Sequence, residues 1–452
     1  MKIKQFKDEP LAHYSYALVS NGEMALVDPS RNPMPYYKYA EENNAKIVAV
    51  FETHPHADFV SSHLQIHKET GATIYISEMV GVSYPHTGFD EGQSVKIGGA
   101  TVKPLHTPGH SPDSLTFIAE ENGETAMFSG DTLFIGNVGR PDLREKAGNM
   151  KAKRVELAKA MYKTMQTKFN DLPDDTVVYP AHGAGSLCGK NMSDASSSTL
   201  GNERQGNWAF KDQTEEEFVE EILKDQPFIP AYFGFNVDVN RKGAMNVQKA
   251  KYSVPVKLLV ESLEDDTVVV DSRGRETYRE GHLPHTINIM GVTEEDKLET
   301  WLGAIIAPEE PFYMVVKSVD DMEDTLERIA KIGYEQQMKG IVTLSEKVSL
   351  TTQAFDHEDF KKNRDKYTVV DVRNEAEVET DGKFIEGSLN IPLNELRNRA
   401  DEVPTDKPVV VHCAGGFRSA AGSSILENKL KDAKVFDFSE EIEEYKEAAT
   451  SK

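Results

Sequence analysis

An α/β chain of several domains is what this sequence predicts, and three observations predict it. Its 452 residues suffice for two to four domains of about 100–200 residues each. From residue 1 to about 245, short β-rich runs alternate with polar helical stretches. Beyond about 255 the same alternation recurs twice, as an internal repeat.

The first stretch, 1–245, carries the runs SYALVS, EMALVDPS, KIVAVFETH, TIYIS, TAMFSGDTLF and TVVYPAH. Residues 191–216 are polar and rich in Ser, Asn and Gly, and read as a long surface excursion. They lead into a helix at EEEFVEEILKDQ. Residues 226–255, with Pro227, Pro230 and Pro255, read as an ordered connector. The second stretch, 255–345, carries one repeat copy beginning LEDDTVVVDSRGRETYREGHLPHTINI. The third, 352–452, carries the other, beginning KYTVVDVRNEAEVETDGKFIEGSLNIP. Asp271-Ser-Arg273 answers Asp371-Val-Arg373, and Asn288-Ile289 answers Asn390-Ile391. Strands alternating with helices in each copy predict a small parallel sheet covered on both faces.

Composition narrows the function classes. Acidic residues number 75 against 51 basic ones, for a net charge of −24. That balance argues against nucleic acid and against anionic membrane surfaces as partners. No apolar run is long enough to span a membrane, and the first twenty residues have no signal-peptide core. Two cysteines, Cys188 and Cys413, are not a disulfide framework. A reduced, cytoplasmic setting is the expectation, with both thiols free for chemistry.

Metal ligands must converge, and loops leaving the ends of neighbouring strands achieve that. His54 and His56 follow KIVAVFET. His110 lies in LHTPGHSPDS. Asp131 follows AMFSG, and His182 follows TVVYPA. Five such residues at strand ends, set against the alternative of scattered turn-capping histidines, predict a metal site.

THPHAD, TPGHSPDS, FSGDTLFIGNVGRPD and YPAHG resemble the metallo-β-lactamase fold, and GDTLFIGNVGRPD resembles its glyoxalase II and persulfide dioxygenase branch. The resemblance implies an αββα sandwich with metal at one edge. Hydrolases of this fold commonly hold two zinc ions and carry H-x-H-x-D-H. Here the last position is Phe59, which is no ligand. Asp58, Asp131 and His182 would make a poorer second site, and His63 is too far along the chain to substitute. Phe59 therefore favours one metal. Two histidines and one carboxylate with open positions are the arrangement of non-haem Fe(II) oxygen chemistry. Carried over by position, that triad is His54, His110 and Asp131, with one Fe(II) per chain. His56, Asp58 and His182 would lie beside it as orienting groups or further ligands. Arg140 and Asp142 read either as a pair pinning their loop or, for Arg140, as a substrate contact. GAGSLCGK, TLGNERQGN and EEEFVEEIL resemble segments of members fused to sulfurtransferases. Cys188 reads equally as a substrate-contacting thiol and as a small buried hydrophobe.

PVVVHCAGGFRSAAGSSILENKL is the second chemical signal. A strand ends at Cys413, a loop with Gly415 and Gly416 leads to Arg418, and a helix follows from Ser419. Loop amides and a helix N-terminus favour a thiolate. Arg418 suits an anionic substrate. Cysteine phosphatases place five residues between Cys and Arg; here there are four. The shorter loop, with DVRNEAEV and SLNIP, resembles rhodanese domains, whose cysteine carries sulfane sulfur. GKFIEGS departs from their usual G-H-I-P. The second stretch resembles rhodanese through DSRGRETYREGHLPHTINI. Near the cysteine position it has Ser318 and an acidic loop, so it is expected to be silent.

The whole chain thus resembles persulfide dioxygenases fused to tandem rhodanese domains. The resemblance implies oxidation of a small thiol persulfide by O2 to sulfite, and transfer of sulfur from Cys413 to sulfite to give thiosulfate. A homo-oligomer is expected. The competing readings are a thioester hydrolase of glyoxalase II type and a non-catalytic persulfide sensor or relay.

Overall fold

The computed structural model describes residues 1–145, 153–263, 266–348, 350–431 and 433–450. The chain divides into two compact units. One is Met1–Ala250 with Ala330–Gly333; the other is Lys251–Ile329 with Tyr334–Lys452.

The first unit is built on two six-stranded mixed sheets. In the first sheet Lys2–Asp8, His13–Ser20 and Glu23–Val27 run antiparallel, and Lys46–Phe51, Thr73–Ile76 and Thr87–Gly88 continue it in parallel. The second sheet orders Val95–Ile97, Ala100–His106, Leu115–Glu121, Glu124–Gly130, Val177–Pro180 and Ser198–Thr199. Successive strand residues point to opposite faces, so each apolar strand feeds two cores. Tyr16, Leu18, Val27 and Phe51 meet Val102, Phe117 and Phe128 between the sheets. On the outer side of the first sheet, Ala17, Leu26 and Val50 meet Tyr36 and Ile66 of the helices Met34–Glu42 and His63–Thr70. Outside the second sheet, Ile118, Met127 and Val178 meet Met161 and Met165 of the helix Arg154–Thr167. The layers are helix, sheet, sheet, helix, the αββα sandwich that the resemblance implies.

Residues 191–216 are mostly exposed or half-exposed, as expected of a surface excursion. Leu200 and Ala209 are fully buried beneath the second sheet and anchor it. The expected connector, 226–255, forms the helices Tyr232–Lys242 and Val247–Tyr252.

The second unit contains two parallel sheets. One orders Val256–Val260, Met338–Leu344, Phe312–Val315, Val268–Asp271 and Thr286–Asn288; the other orders Leu389–Asn390, Thr368–Asp371, Val409–His412 and Val435–Asp437. The internal repeat holds at the level of single bonds. Arg273 Nη2 donates to Asp271 and to the Gly281 carbonyl; Arg373 Nη2 donates to Asp371 and to the Gly382 carbonyl. Asn288 Nδ2 bonds the carbonyls of Asp271 and Arg273, and Asn390 Nδ2 those of Asp371 and Arg373. The recurring D-x-R…N pattern is thus a brace that ties each strand end to its neighbour.

The two copies dock on each other. The helix Phe417–Lys429 meets the edge strand Thr286–Asn288 of the earlier copy. The Asn288 amide donates to Ser424 Oγ at 3.0 Å, and Asn428 Nδ2 donates to the Thr286 carbonyl at 2.8 Å. Arg397 adds a two-pronged ion pair to Glu310, at 2.9 and 2.8 Å.

Candidate metal centre and thiol site

The strand Lys46–Phe51 delivers the loop carrying His54, and Glu124–Gly130 delivers Asp131. Gly130 takes a left-handed φ of +54°, and a Cβ there would lie 2.6 Å from Thr53 Oγ1. The glycine before Asp131 therefore lets these two strand ends close on each other. Gly139 does the same for the third ligand. A Cβ on it would lie 2.0 Å from the Asp131 carbonyl oxygen and 2.9 Å from His110 Nδ1.

The ligand atoms of His54, His110 and Asp131 all fall within 4.8 Å of one another, in buried surroundings. Asp131 Oδ2 is their common focus, 3.8 Å from His54 Nε2 and 3.5 Å from His110 Nε2. This oxygen is buried and has no hydrogen-bond partner. An orphaned carboxylate oxygen is costly unless a cation sits on it. Burial pushes the pKa of His54 well down, and burial likewise lowers that of His110. Burial works against the Asp131 carboxylate, but His182 and His110 outweigh it and hold its pKa well below the ordinary value. Neutral imidazoles and an ionised carboxylate are the states that metal binding requires. These residues fit one metal ion.

Surrounding groups fix the ligands. Thr53 donates its amide and its hydroxyl to Asp28, at 2.8 Å each, and its hydroxyl oxygen lies 2.9 Å from His54 Nδ1. With the Thr53 hydrogen spent on Asp28, His54 must donate from Nδ1, which leaves the Nε2 lone pair for metal. His182 lies 2.7 Å from Asp131 Oδ1 through Nδ1 and 2.7 Å from Asp58 Oδ2 through Nε2. Burial opposes its protonation, yet the two carboxylates raise its pKa well above the usual range. His56 turns from the triad towards Asp28, 3.1 Å from Nε2. His63 faces Glu52 at 3.5 Å.

Phe59 is fully buried. Its ring lies 3.9 Å from that of His13 and 4.4 Å from that of His56. A hydrocarbon thus fills the place where the resemblance implies a second-metal ligand. Asp58, His182 and Cys188 do bring ligand atoms within 4.8 Å of one another, a grouping of Cys188 that the sequence does not reveal. Both nitrogens of His182 are already committed to carboxylates, however. Burial and the nearby Asp58 and Asp131 charges push the pKa of the Cys188 thiol well up.

Arg140 is placed as a loop pin. Its Nε and Nη2 bind Asp142 at 2.6 and 2.8 Å, its Nη1 binds the Leu187 carbonyl at 3.1 Å, and its amide binds the Cys188 carbonyl. These bonds leave its guanidinium engaged with protein, so the pinning alternative is the one with geometry behind it. Arg144 similarly grips Asp113 and Ser111 beside His110. Sequence reasoning missed His13, Asp28, Thr53 and Asn240. Asn240 Nδ2 holds the carbonyls of His56 and Phe59, both at 2.8 Å. Asp28 had a signal, an apolar strand ending in Asp; Asn240, far away in sequence, had none.

In the thiol site Cys413 follows the strand Val409–His412 and is buried. The Gly416 amide donates to its sulfur at 3.1 Å. Gly416 has φ +88°, a conformation that favours glycine and turns its amide inward. Gly415 lies one residue before it, near Glu443. The helix begins at Phe417, not Ser419, so Arg418 sits in its first turn. Arg418 is bound two-pronged to Glu377, at 2.6 and 2.7 Å, a partner the sequence did not expose.

Residues 8–182 match the metallo-beta-lactamase superfamily, and residues 356–448 match the rhodanese-like domain. The chain carries a metallo-β-lactamase-fold domain followed by a rhodanese-like domain. It is 33% identical over 177 residues to a probable hydroxyacylglutathione hydrolase of Schizosaccharomyces pombe, covering 38% of this chain and 63% of that protein. It is 28% identical over 162 residues to the mitochondrial persulfide dioxygenase of Homo sapiens, covering 35% and 59%. The chain therefore spans about three fifths of the length of these relatives. A crystal structure described as a metallo-beta-lactamase from Staphylococcus aureus subsp. aureus COL superposes with a TM-score of 0.66 at 29% identity, covering 76% of this chain and 99% of that one. No helix among the described residues is long and apolar enough to cross a membrane.

Proposed function

We propose that this chain is a non-haem Fe(II) persulfide dioxygenase coupled to a thiosulfate-forming sulfurtransferase. The observation that carries the reading is the His54–His110–Asp131 focus, closed on the second-metal side by Phe59. A ferrous ion bound there would supply the redox chemistry of O2 activation. The chain's residues do the rest. Thr53 sets the His54 tautomer, His182 orients the Asp131 carboxylate, and Phe59 with His13 keeps water off one flank. The net reaction is persulfide plus O2 plus water giving thiol, sulfite and two protons. At the other site the Cys413 thiolate takes sulfane sulfur from a second persulfide and releases its thiol. Sulfite then attacks that sulfur, leaving as thiosulfate and restoring the thiolate. The product of one site is the acceptor at the other.

The test is oxygen consumption by the Fe(II)-loaded protein on adding a small thiol persulfide. Uptake that depends on persulfide and vanishes in His110→Ala is expected. The hydrolase reading is favoured by the likeness to hydroxyacylglutathione hydrolases. Hydrolysis of a glutathione thioester without O2, in a protein that consumes none with persulfide, would establish it instead.

A further inference from the structure

The copy without a thiol reaches into the thiol site of its neighbour. The helix Arg275–Glu280 belongs to the earlier copy. Arg275 Nη1 is buried, makes no hydrogen bond, and lies 2.9 Å from where a Cβ on Gly416 would stand. Gly416 is the residue whose amide holds the Cys413 sulfur. Arg275 is only loosely countered, by Asp437 at 3.8 Å and Glu440 at 3.6 Å. Its neighbour Arg279 bonds Asp437 and Ser439 directly, at 3.2 and 2.9 Å. On another side of the loop Trp301, again from the earlier copy, lies 5.8 Å from the Arg418 guanidinium.

Charge makes this contact consequential. The arginine that the loop itself supplies, Arg418, has two guanidinium nitrogens on the Glu377 carboxylate and brings little net charge. Glu443 stands beside Gly415, and Asp371, Arg373 and His412 lie at the strand end beneath. An anion arriving at Cys413 thus meets acidic groups and closely paired cations, and Arg275, whose carboxylates stand at 3.6 Å or more, is the most weakly paired of these arginines.

We infer that Arg275, from the copy without a thiol, is a positioning residue of the sulfur-transfer site: it braces Gly416 and supplies a weakly countered positive charge that admits anionic sulfur substrates to Cys413. The substrate class rests on the sulfurtransferase reading; the placement of the charge does not.

The test uses the full-length protein and two alkylating reagents, iodoacetate and iodoacetamide. The same thiolate attacks the CH2 carbon of both and expels iodide, and the two reagents differ by one negative charge. Labelling at Cys413 is timed by peptide mass, which separates it from Cys188. Arg275→Gln is expected to lower the iodoacetate-to-iodoacetamide rate ratio about fivefold, and Arg275→Lys to keep most of it. Arg397→Gln, which cuts the Glu310 pair between the copies, is expected to keep the wild-type ratio. An unchanged ratio in Arg275→Gln would overturn the inference. So would an equal fall in Arg397→Gln, because loosened docking would then explain it. Should Arg275→Gln fail to fold, the wild-type ratio still decides: it must fall with added salt, and a salt-independent ratio would overturn the inference. Alkylation needs no turnover. A protein that makes no thiosulfate yet shows the expected ratios would count against the sulfurtransferase reading alone.

Discussion

His54, His110 and Asp131 come to one point from three separate strand ends, whereas Cys413, Gly416 and Arg418 come from a single strand–loop–helix run. The metal centre is therefore a tertiary object. Each ligand depends on a partner elsewhere: His54 on Thr53 and Asp28, His110 on the space left by Gly139, Asp131 on His182 and Asp58. The thiol site holds its sulfur locally, and what it takes from far away is charge, from Glu377 and Arg275. The difference teaches that perturbing the first should change what is bound, while perturbing the second should change which substrate reacts and how fast.

The sharpest way to break that contrast is to remove a ligand. Loss of a group that merely orients a ligand typically costs about 10–100-fold in metal affinity, so Asp131→Ala should cost more and leave protein purified without metal at this site. Metal analysis checks this, and a stoichiometric ion in that variant would mean the focus lies elsewhere. Next in size, Cys413→Ser should leave oxygen uptake intact and shift the product from thiosulfate to sulfite, as ion chromatography would show. Unchanged thiosulfate would mean that Cys413 is not the carrier. Phe59→His should raise the metal content, from the proposed one ion per chain towards two, because Asp58, Asp131 and His182 then gain a fourth ligand. A content that stays at one would show that the phenylalanine is not what sets the count. Thr53→Val should weaken metal binding by about tenfold, by removing the hydroxyl oxygen that accepts from His54 Nδ1.

The smallest effect concerns Glu377. Burial raises its pKa, but Arg418 outweighs that and holds it below the ordinary value. The pair therefore contributes fully above the ordinary carboxylate range and is lost as pH falls through the depressed pKa. Glu377→Gln should release Arg418 and lower the KM for sulfite about two- to fivefold. A raised KM would instead make Glu377 the group that aims Arg418.

Much of this was legible in the chain because it is written locally. The strand alternation, the D-x-R repeat and the loop from Cys413 to Arg418 follow from spacing along the chain, since side-chain direction in strands and tight loops repeats over a few residues. The histidines and Asp131 announced themselves by standing at strand ends. Three other things were decided only by tertiary structure. Arg140 and Arg418 became engaged ion pairs because Asp142 and Glu377 converge on them. His56 was drawn towards Asp28 and away from the triad. The copy without a thiol was placed against its neighbour's active loop. Each is a pairing of charges or hydrogen bonds across distant segments. Sequence supplies the groups for such pairings, but only packing of the sheets and helices brings them within reach.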